Sequence, residues 1–173
     1  DRLVNPAEDR ADVFIRIGAG DIPEMVNRQL LQPRYLCCAS PDYFARHGRP
    51  EHPKQLQQHQ RLGFIRSGAA AADDWQFIRG DERYSLAPSP LLSFNHSPSL
   101  CEVARNHFGL VYLLDCTLEN YLKTGELEPI LQEWAPTGAP INILYPCLRD
   151  RSHKIRVFVD FISELFANKF ARP

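Results

Sequence analysis

Residues 34–48 read RYLCCASPDYFARHG, and within them the chain changes from one kind of structure to another. Arg34 to Ala39 is a short apolar run with the composition of a strand. Side chains of a strand point alternately to its two faces, so the adjacent Cys37 and Cys38 face apart and cannot serve one metal together. Ser40 supplies an N-cap oxygen, Pro41 suits the first helical position, and Gly48 suits a left-handed C-terminal residue, so SPDYFARHG is a short helix. Two readings then compete for the stretch. Cys38 and His47 could pair as nucleophile and base, or the segment is a strand, a capped turn and a surface histidine. The opposed cysteines and the position of His47 at a helix end favour the second.

Working outward, DVFIRIG (Asp12 to Gly18) reads as a largely buried strand that stops at glycine, followed by a loop, AGDIPE. His52 and Pro53 begin a further short helix through Gln58. Arg61 to Ile65 is a strand, and RSGAAAADD behind it has no periodicity. Trp75 to Arg79 and Arg83 to Ala87 flank Gly80-Asp81 as a hairpin. LLSFN is a strand. SPSLCEVARNHF follows as a helix with Leu100, Val103, Ala104 and Phe108 on one face, capped either by Ser97 before Pro98 or by a Ser99-x-x-Glu102 box. GLVYLL has the unbroken apolar character of a buried strand in a parallel sheet. Thr117 to Lys123 is a helix closed at Gly125, LEPIL a brief strand, and INILYP (Ile141 to Pro146) a strand ended by proline. Ser152 then caps a long helix in which Ile155, Phe158, Val159, Ile162 and Phe166 recur at helical spacing. Alternation of strands and helices throughout predicts α/β layers.

The chain has 173 residues, enough for one domain or two small lobes. Its 20 Lys and Arg against 21 Asp and Glu give a net charge of −1, which removes the general attraction that nucleic-acid binding uses. No stretch approaches the roughly 20 apolar residues of a membrane span, so no membrane partner is expected. No signal peptide is visible, and a chain beginning with Asp1 is expected to be part of a longer one. The 5 cysteines are scattered, without C-x-x-C spacing, as a reducing compartment permits, which points to the cytoplasm.

Chemical motifs are sparse. His96, His107 and His153 lack the spacing and carboxylates of a zinc site, and neither G-x-G-x-x-G nor G-x-x-x-x-G-K-S/T occurs, so neither a metal nor a nucleotide cofactor is expected. Asn95, His96, Ser97 and Ser99 fall where a strand gives way to a helix, and free N–H groups there attract anions. Ligands of open α/β sheets sit at the carboxyl ends of strands. The plainer alternative is that Ser97 or Ser99 only caps its helix, and that Arg16 is an ordinary structural cation.

The order DVFIRIG, then RYLCCASPDYFARHGRPEHPKQLQQHQRLGF, W-x-F, GELEPILQEW, INILYP and SHKIRVFVDFISEL resembles the effector-binding domain of LysR-type transcriptional regulators. The resemblance runs from about Asp1 to Phe166. Its most specific pieces are A-S-P-x-Y-x-x-x-H-G-x-P, H-P-x-x-L-x-x-H and the closing K-x-R-x-F-x-D-F.

That resemblance implies a two-lobe α/β fold of periplasmic-binding-protein type (type II) with two crossover strands, near Cys37 to Ser40 and Thr137 to Ile141. Residues 1–39 and 140–173 would form lobe I, lacking its first strand, helix and strand, and 40–139 lobe II. A small acidic or aromatic effector would be held in the cleft by Arg16 and Gly18, by Phe64, Ile65, Arg66 and Ser67, and by Asn95, His96, Ser97 and Ser99. The resemblance further implies no enzymatic activity, a homodimer or tetramer formed through this domain, and DNA contact only through a helix-turn-helix domain outside this chain. One local departure stands out: where the family often carries a G-L-G-I turn before a strand, this chain has Asn106-His107-Phe108-Gly109-Leu110-Val111, which implies either a narrower entrance to the cleft or a different effector. The rival of the same architecture is an exported solute-binding protein, against which the unpaired cysteines count.

Overall fold

The computed structural model describes residues 11–18, 20, 22–87, 89–147 and 152–170. Asp1 to Arg10 of the expected first lobe, Ala19 and Asp21 of the AGDIPE loop, and Pro88 beyond the hairpin lie outside them. The described chain divides into two compact units, one of Arg34–Thr137 and one drawn from Leu3–Pro33 and Gly138–Pro173.

In the larger unit, β3 (Tyr35–Ala39) is the central strand of a sheet ordered β8 (Val111–Leu114), β3, β9 (Glu128–Ile130), antiparallel throughout. The unit change therefore falls between Pro33 and Arg34 rather than after Ala39, because β3 takes its ladder partners from the larger unit. The return falls between Thr137 and Gly138.

Both faces of this sheet are covered. Cys37 packs with Tyr43, Phe44, Leu56, Phe77, Tyr112 and Trp134 on one side. Cys38 packs with Leu62, Leu100, Cys101, Ala104 and Leu118 on the other. The alternation of strand side chains thus sends the two adjacent cysteines into different cores. Each fully buried leucine there contributes about 1.5–3 kcal/mol by leaving water.

The punctuation around β3 forms as the sequence predicts. Helix α1 (Pro41–His47) is capped by Ser40, whose Oγ accepts from the Tyr43 N–H at 3.2 Å, and Gly48 closes it at φ 81°. Pro53–Gln58 is a 3-10 turn in which the Lys54 N–H donates to His52 Nδ1, while Gln55 Oε1 accepts from the His52 N–H. The hairpin β5 (Trp75–Arg79) and β6 (Glu82–Leu86) turns at Gly80-Asp81, with Gly80 at φ 57°. Strands β4 (Leu62–Phe64) and β7 (Leu92–Phe94) pair in parallel, and helices α2 (Ser97–Arg105) and α3 (Asp115–Lys123) complete the unit.

Three expectations fail here. β8 is buried along its length but pairs antiparallel with β3; the parallel ladder is β4 with β7, joined by an isolated bridge between Arg61 and Leu110. Complete burial on both faces, not strand direction, produces the unbroken apolar run. Neither Ser97 nor Ser99 caps α2: His96 occupies the N-cap position, and Glu102 is taken by Arg105 and Tyr121 instead of reaching back. Phe108 lies beyond the helix and is exposed.

In the smaller unit, β10 (Ile141–Pro146) runs between β1 (Phe14–Ile17) and β2 (Met25–Leu31), antiparallel to both, and α4 (His153–Lys169) packs on it through Ile155 and Val159. β1 is less buried than expected: Phe14 is inside, but Ile15 and Ile17 are exposed. β2 is a strand that the sequence pattern did not reveal. Val26 and Leu30 pack on the core, but Arg28 between them on the same face breaks the apolar alternation and pairs with Asp160 of α4 at 3.6 Å. Ser152 stands at the N-cap of α4 without a side-chain cap bond.

Candidate functional site

The parallel pairing of β4 with β7 puts the carboxyl ends of both strands side by side. Phe64 is the Cα partner of Phe94, and the Ile65 N–H donates to the Phe94 carbonyl at 2.8 Å. Phe64, Ile65, Arg66 and Ser67 therefore leave β4 beside Asn95, His96, Ser97 and Ser99, which leave β7 and open α2. Asn95 and His96 are exposed, Ser97 and Ser99 half-buried. His96 Nδ1 pairs with Ser99 Oγ at 3.0 Å, so the ring and the hydroxyl orient each other across the start of the helix. Pro98 offers no N–H, while the N–H groups of Ser97 and Ser99 point out of the first turn, where an α-helix has no internal acceptors. These free N–H groups can donate to an anion.

Arg16 and Gly18 belong to the smaller unit. Arg16 is half-buried on β1 opposite Asn142, and Gly18 sits at φ 68° with its N–H donating to the Pro140 carbonyl at 2.9 Å. A Cβ there would stand 3.3 Å from the Ala139 Cβ. Arg66 is engaged: its Nε lies 2.8 Å from either carboxylate oxygen of Asp73. Asp73 carries no signal in the sequence because it sits in the aperiodic RSGAAAADD loop, and only the loop's closure brings it to its partner.

The His107 turn is elsewhere. Arg61 and Leu110 pair where β4 and β8 begin, so His107 and Gly109 lie at the opposite ends of the strands from Phe64 to Ser67. There His107, at φ 68°, bonds through Nδ1 to Ser40 Oγ at 2.8 Å and faces Asp42. Its bulk fastens a turn to the start of α1 and does not narrow the carboxyl-end site of this unit.

The cysteine chemistry left open by the sequence is disfavoured by burial. Cys37 and Cys38 are inside the core, and desolvation pushes both thiols up, as it does Cys116, and Cys101 to about 11. A nucleophilic cysteine needs the reverse. Among the described residues no group of three or more His, Cys, Asp or Glu is placed to hold a metal ion, and no helix is long and apolar enough to cross a membrane.

A family model described as the LysR substrate binding domain matches residues 1–167. The chain belongs to the LysR substrate-binding domain family. This LysR domain is 29% identical over 167 residues to an HTH-type transcriptional repressor of Pseudomonas aeruginosa, covering 96% of this chain and 53% of that protein. It is 30% identical over 163 residues to the uncharacterized HTH-type regulator YcaN of Escherichia coli, covering 94% and 53%. The regulatory domain of CrgA, a LysR-type transcriptional regulator from Neisseria meningitidis, superposes with a TM-score of 0.79 at 29% identity, over 92% of this chain and 78% of that one. The LysR domain thus has the type II periplasmic-binding-protein-like fold, and its family consists of transcriptional regulators, not enzymes. It spans about half the length of the curated relatives it matches.

Proposed function

We propose that this LysR domain is the ligand-sensing part of a cytoplasmic transcriptional regulator. It binds a small acidic or aromatic effector through Phe64 to Ser67 and Asn95 to Ser99, with Arg16 and Gly18 as further candidate contacts. The observation that carries this reading is the convergence of the β4 and β7 carboxyl ends on the opening turn of α2, whose N–H groups suit a carboxylate. Membership of a regulator family favours sensing over nutrient capture. Binding shifts the balance between two arrangements of the lobes only in so far as the effector prefers one of them. The shift passes through a homodimer or tetramer formed by this domain to helix-turn-helix domains outside this chain, which alone contact DNA.

The test is to titrate small organic acids and aromatic metabolites against the complete regulator on its operator while footprinting the DNA. At least one ligand is expected to alter the footprint, and Ser97→Asp, which places a like charge in the opening turn of α2, is expected to abolish that response. A footprint indifferent to every ligand that binds the domain would overturn the reading.

A further inference from the structure

Arg66 is the most exposed cation that the site can offer, yet its charge is already answered. Its guanidinium Nε lies 2.8 Å from both oxygens of Asp73, with the arginine side chain 72% exposed and the aspartate 32%. The contact is built by the backbone. The Asp73 N–H donates to the Phe64 carbonyl at 3.1 Å and the Ala69 N–H to the Arg66 carbonyl at 2.9 Å, so the loop leaves and rejoins the carboxyl end of β4. Asp73 is thereby fixed, and the long arginine comes to it. Tyr35 at the start of β3 faces the same pair: burial first, then the Asp73 carboxylate, raises its phenol pKa, while Arg66 pulls it the other way.

Resting on the proposed effector site, we infer that Asp73 is a specificity-determining residue: it neutralises Arg66 and lowers the affinity of the site for anions. An anion reaching Phe64 to Ser67 meets a compensated guanidinium and a fixed carboxylate rather than a free positive charge. Exposed ion pairs are weak enough for a ligand to exchange, so Asp73 tunes the site without closing it. Ligands that carry a neutral or cationic group beside their acid, and can satisfy Asp73 as well as α2, are favoured over simple polyanions.

Sodium benzoate titrated into the 173-residue chain, followed by backbone amide NMR, tests this with Asp73→Asn, Arg66→Gln and the double variant. Removing a like charge about 4 Å from the anion in a water-like dielectric is expected to tighten binding by about fivefold in Asp73→Asn. The gain should vanish when Arg66 is also replaced. Asparagine keeps the shape and the backbone bond, and the amide spectrum verifies the fold. Affinity in Asp73→Asn equal to that of the unaltered chain, or no binding in either, overturns the inference. Equal affinities with shifts at Ser97 and Ser99 leave the site standing and remove Asp73 from it. A gain with shifts confined to residues 64–73 supports Asp73 and removes α2 from the site.

Discussion

The two units treat their apolar side chains differently. In Arg34–Thr137 the sheet is clothed on both faces, and Trp134, Tyr43, Phe77, Leu56, Leu100 and Leu118 are essentially out of water. In the smaller unit, α4 buries Ile155 and Val159 but leaves Val157, Phe158, Phe161 and Leu165 exposed, and β1 leaves Ile15 and Ile17 exposed. Helical spacing identifies which residues share a face; it does not say how wide a partner that face meets. On α4 the described partner, β10 with β2, covers one edge of the stripe only.

The contrast can be broken most forcefully at Phe77, which is fully buried against Tyr112. Phe77→Ala is expected to cost about 3–5 kcal/mol in urea unfolding, and a loss under about 1 kcal/mol would mean that the larger core is not close-packed. Ile155→Ala, in the thinner core under α4, should cost nearer 2 kcal/mol, the low end for such truncations. A loss as large as that of Phe77→Ala would erase the distinction between the units.

Smaller effects sharpen the comparison. Ser40→Ala removes the α1 cap and the His107 contact together, for about 1 kcal/mol. A pH dependence belongs to His59, whose pKa lies below the ordinary histidine value of 6.5 because burial first, and His47 second, disfavour its charged form. The unfolded chain therefore takes up a proton before the folded one does. His59 stabilises the fold fully above pH 6.5, and this contribution falls as pH drops through the folded pKa. His59→Gln should flatten thermal stability across that interval; an unchanged pH profile would show that burial and His47 do not hold the ring neutral. Least of all, Phe161→Asp on the exposed side of α4 should change stability by less than about 0.5 kcal/mol, and a large loss would mean the stripe is covered in the folded chain.

Much of the larger unit was legible because its signals are local. Ser40-Pro41 and Gly48 around α1, Gly80-Asp81 between β5 and β6, and His52-Pro53 each act through bonds to the next few residues, so neighbouring letters decide them. β2 was illegible because Arg28 interrupts its alternation, and the cap of α2 was misjudged because Arg105 and Tyr121 compete for Glu102. Of the candidate site, the end of β7 is legible from the strand-to-helix junction and the end of β4 only through the family resemblance, while the partner of Arg66 is legible from neither.

By itself, the sequence determined the α/β character, most element positions, the opposed faces of Cys37 and Cys38, and the resemblance that assigned the family. Those follow from periodicity, caps and turn residues, which are properties of a few consecutive positions. Tertiary structure alone decided that β8 runs antiparallel to β3, that β4 and β7 end together beside α2, that His107 fastens Ser40 at the far end of the sheet, and that Asp73 claims Arg66. Each of these joins residues that the chain carries far apart or through an aperiodic loop, and only folding brings such groups within the few ångströms at which hydrogen bonds and charges act.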